Sequence, residues 1–338
     1  MRDIAAELGI SHATVSLALR GSNRITEAVR QRVQATAEAL GYRPDPMLAA
    51  LSHYRKGARD GPVTAALAWI NAWPHPEHLR SLKEFDQCWT GAQSTAAKFG
   101  YALEEFRLGT DHTAESLHEA LRARGIHGLL IPPQTAMPDW TGFPWQDYAI
   151  VRLGRALPEP RCHLVAADQV ANTCLAFRRI REAGYARVGF VSREGESEMD
   201  DGHSFQAGCL IAQQQVPPVL RLPVFTTGGI CKLQLRSAFL NWVHEHRPDA
   251  IFSDDPAIGE LIRSTGLRVP EDIGLAISSV LAPTVEAGID LQPAEIGRVG
   301  FLLLNSLLTD RSRGLPDTLR RLLVEGSWQP GKTLPLRA

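Results

Sequence analysis

The residues best placed to do chemistry lie near the amino terminus, on the exposed face of a predicted short helix. Ser11 is a favoured N-cap, so the sequence predicts that a helix begins there. Val15, Ala18 and Leu19 would form the inner face of this helix. Its outer face would carry His12, Ala13, Ser16, Leu17 and Arg20. A face of this kind can enter the DNA major groove, where polar side chains hydrogen-bond to base edges and a leucine can contact a thymine methyl group.

A second helix must hold that face in place, and the residues before Ser11 predict one. Ile4, Ala5 and Leu8 recur at helical spacing and would form one apolar stripe. Gly9 would end this helix, because glycine adopts the left-handed conformation at little cost. Two short helices joined by a tight turn predict a helix-turn-helix unit, whose second helix reads DNA. The alternative is an ordinary helical hairpin at the start of an enzyme.

A third helix is predicted from Thr26 to Leu40, with Val29, Val33 and Ala37 on its inner face. Three helices in about forty residues have a thin core, so this headpiece should be marginally stable alone. Arginines lie on its outside, where they form either a solvated face or contacts with DNA phosphates. The DNA-binding residues predicted for this headpiece are Ser11, His12, Ala13, Thr14, Ser16, Leu17, Arg20, Arg24 and Arg30.

Residues 44–60 predict a short linking helix. Asp45 is a suitable N-cap, and Pro46 suits the first helical position. The helix would have little more than two turns, and an isolated helix that short is unstable in water, so it needs a partner. Leu48 and Leu51 lie three residues apart and would be costly to leave exposed as a pair.

The composition is that of a globular protein with more than one domain. The 338 residues are 44% hydrophobic and 22% charged, with a formal net charge of −1. Residues 1–60 hold nine basic and six acidic residues, whereas the remainder holds 27 and 31, so the amino-terminal part is the one that favours phosphates. No run of about 18 apolar residues predicts a membrane span. The amphipathic amino terminus does not resemble a signal peptide, so we expect a cytoplasmic protein.

The sequence predicts neither a metal site nor a catalytic centre. The scattered cysteines contain no CxxC pair, which argues against a zinc site and a disulfide framework; they are Cys88, Cys162, Cys174, Cys209 and Cys231. His75 and His78 fall in a proline-rich loop, and His244 and His246 lie on different sides of a predicted helix, so we interpret them as surface residues. No nucleophile elbow, P-loop or dinucleotide-binding glycine pattern is present. We therefore expect no cofactor and no enzymatic activity.

Beyond a boundary at Gly57–Pro62, nine apolar segments alternate with six amphipathic helices. The predicted strands include Ala149–Gly154, Leu164–Ala167 and Val219–Phe225, and the predicted helices include Phe85–Phe99 and Lys232–His246. Apolar strands that alternate with helices predict parallel sheets covered on both faces. Ligands of such sheets bind beyond the carboxyl ends of the strands.

Several blocks together resemble the lactose-repressor/galactose-repressor (LacI/GalR) family of bacterial transcription regulators. The third predicted helix ends in LGYRP and is followed by the short proline-started helix. Later blocks that match the family are RPDAIFSDD (247–255), GLRVPEDIG (266–274) and VEGSW (324–328). Each block alone is weak, but their order along nearly the whole chain is specific.

The resemblance implies a domain organisation. Residues 1–43 would form the helix-turn-helix DNA-binding headpiece, residues 44–60 the hinge helix and linker, and residues 61–338 an effector-binding and dimerisation domain. That domain would contain two Rossmann-like subdomains, similar to those of periplasmic sugar-binding proteins. The first would comprise about 61–155 and 282–316, and the second about 156–281 and 317–338, so that the chain crosses between them near residues 155, 281 and 317.

The resemblance also implies how the chain would bind DNA. A homodimer would bind a pseudo-palindromic operator, with two hinge helices paired in the minor groove. Tyr42, in the LGYRP block, and Leu51 are the further DNA-binding residues that the resemblance implies. Leu51 stands where the family places a leucine that wedges between base steps, which fits the general use of apolar wedges to kink a duplex. The alternative role for Leu51 is packing against the effector domain.

Effector-binding residues follow from the same resemblance, each with a structural alternative. Asp255 matches the family's sugar-hydroxyl-binding aspartate, but would otherwise cap a helix predicted at Ala257–Thr265. Asp168 matches a family position at a strand end, or caps the helix that follows. The tryptophans would either stack on a sugar or lie in the core. The predicted effector-binding residues are Asp255, Asp168, Arg152, Trp69, Trp73, Trp89 and Phe205.

Two of these positions bear on the polarity of the ligand. Arg152, at a strand end, is a candidate for binding an anionic or polyol ligand. Phe205 stands where family members often carry an arginine, and Leu291 where they often carry a glutamine. Either the ligand is less polar than a free hexose, or the pocket has drifted, or the alignment slips by a few residues.

We therefore predict a sequence-specific DNA-binding transcription regulator of the repressor type. Its operator affinity would be controlled by a small effector, a sugar or sugar derivative, bound between two subdomains. The alternative is a cytoplasmic sugar-binding protein or sugar-processing enzyme whose amino-terminal helices serve only packing or dimerisation.

Overall fold

The computed structural model describes residues 2–11, 14–15, 18, 26–39, 65–154, 159–193, 200–281 and 285–337. The chain divides into an amino-terminal unit and a larger body, and each is described by itself. The predicted linking helix at residues 44–60 lies outside the described residues.

The amino-terminal unit begins with α1 (Arg2–Leu8), which ends as the sequence predicts. Gly9 adopts a φ of +62°, and the Ile10 amide donates to the Ala5 carbonyl at 3.1 Å, which is the bonding pattern of a glycine-ended helix. The Ser11 hydroxyl then accepts a hydrogen bond from the Thr14 amide at 3.1 Å. Ser11 therefore caps the next helix, to which Thr14 belongs.

The core of this unit is formed by the predicted inner faces. Helix α2 (Glu27–Ala39) follows, and Val33 and Ala37 on it pack with Ile4, Val15 and Ala18 in one buried cluster. The predicted inner-face residues Leu19 and Leu40 lie outside the described residues. The described part of this core consists of five small or medium side chains, so the loss of one of them should matter.

The first half of the body is a six-stranded sheet with the strand order β11-β5-β4-β3-β1-β2. Its strands from β1 to β3 to β4 to β5 to β11 pair in parallel. The elements in chain order are β1 (Ala65–Asn71), α3 (Pro76–Ser81), α4 (Lys83–Lys98), β2 (Tyr101–Arg107), α5 (Ala114–Ala123), β3 (Gly128–Ile131), β4 (Ala149–Leu153) and β5 (His163–Ala167).

The second half is another six-stranded sheet, with the order β12-β10-β9-β8-β6-β7, in which only the pairing of β12 with β10 is antiparallel among the described strands. Its elements are α6 (Gln169–Glu182), β6 (Val188–Ser192), α7 (Asp200–Gln214), β7 (Phe225–Thr226), α8 (Lys232–His246), β8 (Ala250–Ser253), α9 (Ile258–Ser264), β9 (Gly274–Ile277) and β10 (Gly288–Asp290). The chain then adds α10 (Pro293–Thr309), β11 (Arg321–Val324) and β12 (Ser327–Gln329).

One predicted strand is wrong over most of its length. The segment Val219–Phe225 begins in a short 3₁₀ turn, Pro218–Leu220, and only Phe225 and Thr226 pair with β6. Prolines at 217, 218 and 223 have no amide hydrogen to donate to β6, and the segment pairs with β6 only after the last of them. Helix α8, by contrast, begins and ends at the predicted residues.

The chain crosses between the two sheets later than the sequence suggested. Because β5 and β11 belong to the first sheet and β10 to the second, the crossings follow Ala167 and Asp290 and lie between Val324 and Ser327. The expected crossings were near residues 155, 281 and 317. Apolar strands have the same sequence pattern in either sheet, so pattern alone does not assign them.

Two glycines bring α4 and the start of α10 into backbone contact. A Cβ atom on Gly297 would lie 1.9 Å from the Cys88 carbonyl oxygen, and one on Gly91 would lie 1.9 Å from the Ala294 carbonyl oxygen. No side chain larger than hydrogen fits at either position without moving a backbone. The close contact between these two helices therefore fixes the turn of α4 that contains Cys88 against α10.

Candidate functional sites

The described part of the predicted DNA-reading surface is the cap of the second helix. Ser11 is exposed, Thr14 is half-buried, and their hydroxyl groups are 2.8 Å apart. Arg30 is half-buried on α2. The remaining predicted DNA-binding residues lie outside the described residues; they are His12, Ala13, Ser16, Leu17, Arg20, Arg24, Tyr42 and Leu51.

Asp255 lies where β8 ends, and both of its carboxylate oxygens accept hydrogen bonds. Oδ1 accepts from the Ala257 amide at 2.9 Å, and Oδ2 accepts from the Thr227 hydroxyl at 3.0 Å. Helix α9 begins at Ile258 with Ala257 as its N-cap, so Asp255 closes the turn before the helix instead of capping it. Each oxygen keeps a second lone pair for a ligand hydroxyl.

The neighbouring Asp254 was missed by the sequence analysis. It accepts hydrogen bonds from the Arg193 amide at 2.6 Å and the Ser192 hydroxyl at 3.2 Å. Burial raises the pKa of Asp254 to about 6, and the nearby charge of Asp255 acts in the same direction. Two consecutive aspartates after a buried strand were the available signal. This carboxyl edge of the second sheet is thus rich in acceptors.

Asp168 has the structural role offered as the alternative. Its carboxylate accepts a hydrogen bond from the Ala171 amide at 2.9 Å and caps α6. Its own amide donates to the Val324 carbonyl at 2.9 Å. Asp168 therefore joins the first crossing of the chain to β11.

Two of the three predicted tryptophans are core residues, which corrects the stacking interpretation for them. Trp69 and Trp89 are only 0% and 6% exposed and form an edge-to-face pair with centroids 5.4 Å apart. The Arg80 guanidinium lies over the Trp89 ring, 4.9 Å from its centroid. No ring face of either residue remains for a sugar.

Trp73 lies near the carboxyl edge of the first sheet. Its indole N–H donates to the Pro133 carbonyl at 2.8 Å, and its ring meets Phe85 edge-to-face at 5.9 Å. The buried carboxamide of Gln134 holds the same edge together, since it accepts from the Ala72 amide and donates to the Ile70 carbonyl, each at 3.0 Å. The loops after β1 and β3 are thus tied to each other.

Phe205 and Leu291 are buried apolar residues, 8% and 5% exposed. One turn after Phe205, a Cβ atom on Gly208 would lie 2.8 Å from the Val170 carbonyl oxygen, so α7 packs closely on α6 there. Neither side chain offers a polar contact to a ligand.

Arg152 lies on β4 and faces a small cavity shared with Gln134, Trp140 and Glu159. This cavity has a volume of about 10 Å³, room for about one water molecule. It is too small for a sugar, so Arg152 does not line a ligand-sized site in this conformation. Its neighbour Leu153 lines a larger cavity.

The larger cavity has a volume of about 150 Å³ and lies at the carboxyl edge of the first sheet. Phe85 and Cys88 of α4, Leu153 and Ile296 form apolar walls. Burial raises the pKa of the Cys88 thiol, and the charge of Glu84 adds to this shift. The polar lining comes from Glu84 and Gln169, neither of which the sequence analysis identified, because single polar residues near helix starts carry no distinctive pattern.

Glu84 also connects the two halves of the body. Its Oε2 atom accepts a hydrogen bond from the Ser279 hydroxyl at 3.3 Å. Ser279 follows β9 of the second sheet, whereas Glu84 lies on α4 beside the first. The carboxyl edges of the two sheets therefore meet at this pair.

The described residues contain no candidate metal site. No group of three or more His, Cys, Asp or Glu residues among them is arranged to hold a metal ion. The five cysteines are free thiols. Within the same described part, no helix combines the length and apolarity that crossing a bilayer requires.

Comparison with known proteins adds independent information. The family model "Bacterial regulatory proteins, lacI family" matches residues 1–45. The HTH-type transcriptional regulator PtxS of Pseudomonas putida is 26% identical, with 97% of this chain and 95% of that protein covered. The HTH-type transcriptional repressor CytR of Escherichia coli K12 is 24% identical, with the same coverage.

Solved structures agree in fold over nearly the whole chain. The transcriptional regulator CelR in complex with cellobiose has a TM-score of 0.56 at 20% identity, with 98% of both chains covered. The lac repressor dimer bound to operator and an anti-inducer has a TM-score of 0.55 at 16% identity, also with 98% of both covered. The predicted fold class, a helix-turn-helix headpiece with a two-subdomain body like periplasmic binding proteins, is confirmed. Residues 1–45 therefore match the LacI family of bacterial regulatory proteins, and over nearly its whole length the chain is similar to proteins named as transcriptional regulators or repressors.

Proposed function

We propose that this protein is a transcription repressor that binds operator DNA as a homodimer and releases or holds it in response to a small carbohydrate-like effector. One observation carries the proposal: a capped helix-turn-helix turn on its own small core belongs to the same chain as a two-sheet body with a ligand-sized cavity. The relatives that cover 97% of the chain are named as transcriptional regulators or repressors, and none of those compared above is named as an enzyme.

DNA recognition in this proposal divides between positioning and reading. Arg20, Arg24 and Arg30 contact phosphates and set the register, and the second helix presents its outer face to base edges. Leu51, in the linking segment 44–60, wedges into the minor groove when two copies pair on the operator. These assignments rest on the sequence and the family.

Control by the effector is a shift between two populations of the body. The effector binds at the carboxyl edges of the sheets and favours one angle between the two halves. That angle decides whether two linking helices pair on DNA, so effector and operator affect each other's affinity by the same factor. Asp255, with two lone pairs available at the edge of the second sheet, is one acceptor for effector hydroxyls.

The experiment is a gel-shift screen of the full-length dimer against fragments of its own genome, at two salt concentrations and with a panel of sugars. The proposal expects sequence-selective binding that weakens steeply with salt and changes with one sugar. Absence of binding at low salt by an intact dimer overturns it. A sugar-processing enzyme would instead turn over a sugar without binding DNA. Fractionation of the source cells tests the cytoplasmic location that a DNA-binding role requires.

A further inference from the structure

A further cavity of the body lies between α6 and the last crossing of the chain, away from the carboxyl edges of the sheets. This α6 cavity has a volume of about 270 Å³. Asn172, Cys174 and Arg178 line it from α6, and Glu325 and Gly326 line it from the crossing. The crossing segment joins β11 of the first sheet to β12 of the second. The cavity therefore lies at a covalent connection between the two halves of the body.

One polar group in the lining of the α6 cavity is a buried donor without an acceptor. Asn172 is only 2% exposed, and its Oδ1 atom accepts a hydrogen bond from the Gly326 amide at 2.7 Å. This bond fixes the orientation of the carboxamide, because only its oxygen can accept. The Nδ2 group is buried and has no hydrogen-bond partner among the described residues. A buried donor without an acceptor costs free energy, which a ligand oxygen that reaches Nδ2 recovers as affinity.

Two opposite charges complete the polar lining, and the body uses neither of them. Arg178 and Glu325 are both exposed, and neither forms a hydrogen bond or an ion pair in the part of the chain that the structure describes. The next arginine on α6 differs, since Arg179 pairs with Glu182 at 2.9 Å. A ligand that matches this lining carries a negative group for Arg178 and a positive group for Glu325.

We propose that the α6 cavity binds a free amino acid in its zwitterionic form. One carboxylate oxygen accepts a hydrogen bond from Asn172 Nδ2, the other accepts from the Arg178 guanidinium, and the ammonium group donates to the Glu325 carboxylate. Leu175, also in the lining, offers an apolar contact to the ligand's side chain. A simple carboxylate leaves Glu325 unmatched, and a neutral sugar leaves both charges unmatched. This site is additional to the carbohydrate effector site of the proposed function.

A ligand in the α6 cavity touches α6 and the crossing at the same time. Gly326 is closely packed there, because a Cβ atom on it would lie 2.6 Å from the Asp290 carbonyl oxygen and 3.0 Å from Asn172 Oδ1. A change in the angle between the two halves requires backbone rotation at the crossings. The amino acid therefore favours the arrangement that keeps Glu325 and α6 within its reach. Its effect on operator affinity rests on the proposed function, whereas its binding does not.

The first test is calorimetry of the full-length protein with each standard amino acid and, for one that binds, with its N-acetyl derivative and its methyl ester. We expect binding of at least one free amino acid, and removal of either ligand charge should weaken it about tenfold or more. Arg178→Gln and Asn172→Asp should each have an effect of the same size. The aspartate keeps an acceptor for the Gly326 amide but offers no donor to the ligand carboxylate.

The matched control is Arg179→Gln, the neighbouring position on the same helix, which lies outside the lining and should change affinity by less than about threefold. Melting temperatures without ligand establish that each variant is folded. Alkylation by N-ethylmaleimide, read by mass spectrometry, locates the ligand. Cys174 is half-buried in the lining, whereas Cys231 is exposed and outside it, so the bound amino acid should slow alkylation of Cys174 alone.

The outcomes separate this site from the proposed function. The site is overturned if no free amino acid binds at millimolar concentration, if the N-acetyl derivative binds equally well, if both cavity variants keep full affinity, or if Cys174 is not protected. Operator binding and its response to sugars are measured separately, so none of these results removes the repressor function. A protein that binds an amino acid here but binds no DNA supports the site and overturns the repressor function.

Discussion

The hydroxyl group of Ser279 and the carboxylate of Glu84 are hydrogen-bonded at 3.3 Å although the two residues lie 195 positions apart and beside different sheets. This bond joins the halves of the body away from the strands where the chain crosses. A hydrogen bond to a charged acceptor contributes about 1–3 kcal/mol when desolvated, and less when water reaches it. Both residues are half-buried, so the lower end of that range applies.

Ser279→Ala should therefore lower the free energy of unfolding of the body by about 1 kcal/mol. The measurement is urea denaturation followed by circular dichroism, in the wild type and in a Glu84→Ala background, which has no side-chain acceptor. Because the two side chains share one bond, the serine substitution should cost less when the carboxylate is already gone. Additive effects of the two substitutions would show that the bond does not exist in solution.

Gly297→Ala should destabilise the body by about 3 kcal/mol. The new Cβ would overlap the Cys88 carbonyl oxygen at 1.9 Å, so α4 and α10 must separate. The control is Gly125→Ala, where the added Cβ meets no atom within 4 Å and only the φ of +65° resists it, at a cost of about 1 kcal/mol. Thermal unfolding of both variants checks the order. Equal losses of stability in the two variants would mean that the contact between α4 and α10 tolerates a side chain.

Val33→Ala should unfold the amino-terminal unit without affecting the body. Val33 is fully buried among the described core residues Ile4, Val15, Ala18 and Ala37, and removing two carbons there costs about 2 kcal/mol or more. Amide hydrogen exchange should accelerate throughout α1 and α2, and operator binding should be lost while ligand binding remains. The control is Val219→Ala, whose side chain is 74% exposed on the body. Exchange rates in α1 and α2 that match the wild type would contradict this assignment of the core.

Leu51→Ala should abolish DNA bending. If Leu51 is the minor-groove wedge, its loss weakens specific binding at least tenfold, because the kinked duplex no longer forms. Ligand binding should not change. Bending is measured by circularly permuted operator fragments, with Leu336→Ala, an exposed leucine of the body, as control. A bend angle equal to that of the wild type would assign Leu51 to packing instead.

Asp254 makes the stability of the body depend on pH. Its pKa is about 6 in the folded protein against a reference value of 3.8, so the native state binds the extra proton between these values. The free energy of unfolding therefore falls as pH rises from about 4 to 6, and the full penalty, roughly 3 kcal/mol at most, is present above pH 6.

Asp254→Asn removes this charge and should raise the melting temperature at pH 7.5 while leaving it nearly unchanged at pH 4.5. Its amide oxygen can still accept one of the existing hydrogen bonds. Asp317→Asn, at an exposed position, serves as the control. A variant with the same pH profile as the wild type would show that Asp254 is not the responsible group.

The helix-turn-helix and its core were readable from the sequence because local signals decide them. Gly9, Ser11 and the three- and four-residue spacing of Ile4, Ala5 and Leu8 act within a few residues of each other. The fold class of the body was predicted from the resemblance to the LacI/GalR family.

The ligand cavity was not readable, because its parts are brought together by tertiary packing. Glu84 gains a role only because Gln169 and Ile296, more than eighty and two hundred positions away, reach the same space. The pairing of Trp69 with Trp89 likewise depends on how α4 lies on β1. The crossing points were misplaced because strands of both sheets are equally apolar.

The three crossings of the chain affect how the body responds to proteolysis. They lie after Ala167, after Asp290 and between Val324 and Ser327. Cutting the backbone at any one of them leaves the halves tethered by the other two covalent paths. A protease that cuts this protein once, at one of these crossings, would therefore yield fragments that separate in a denaturing gel. The same fragments would remain associated under native conditions.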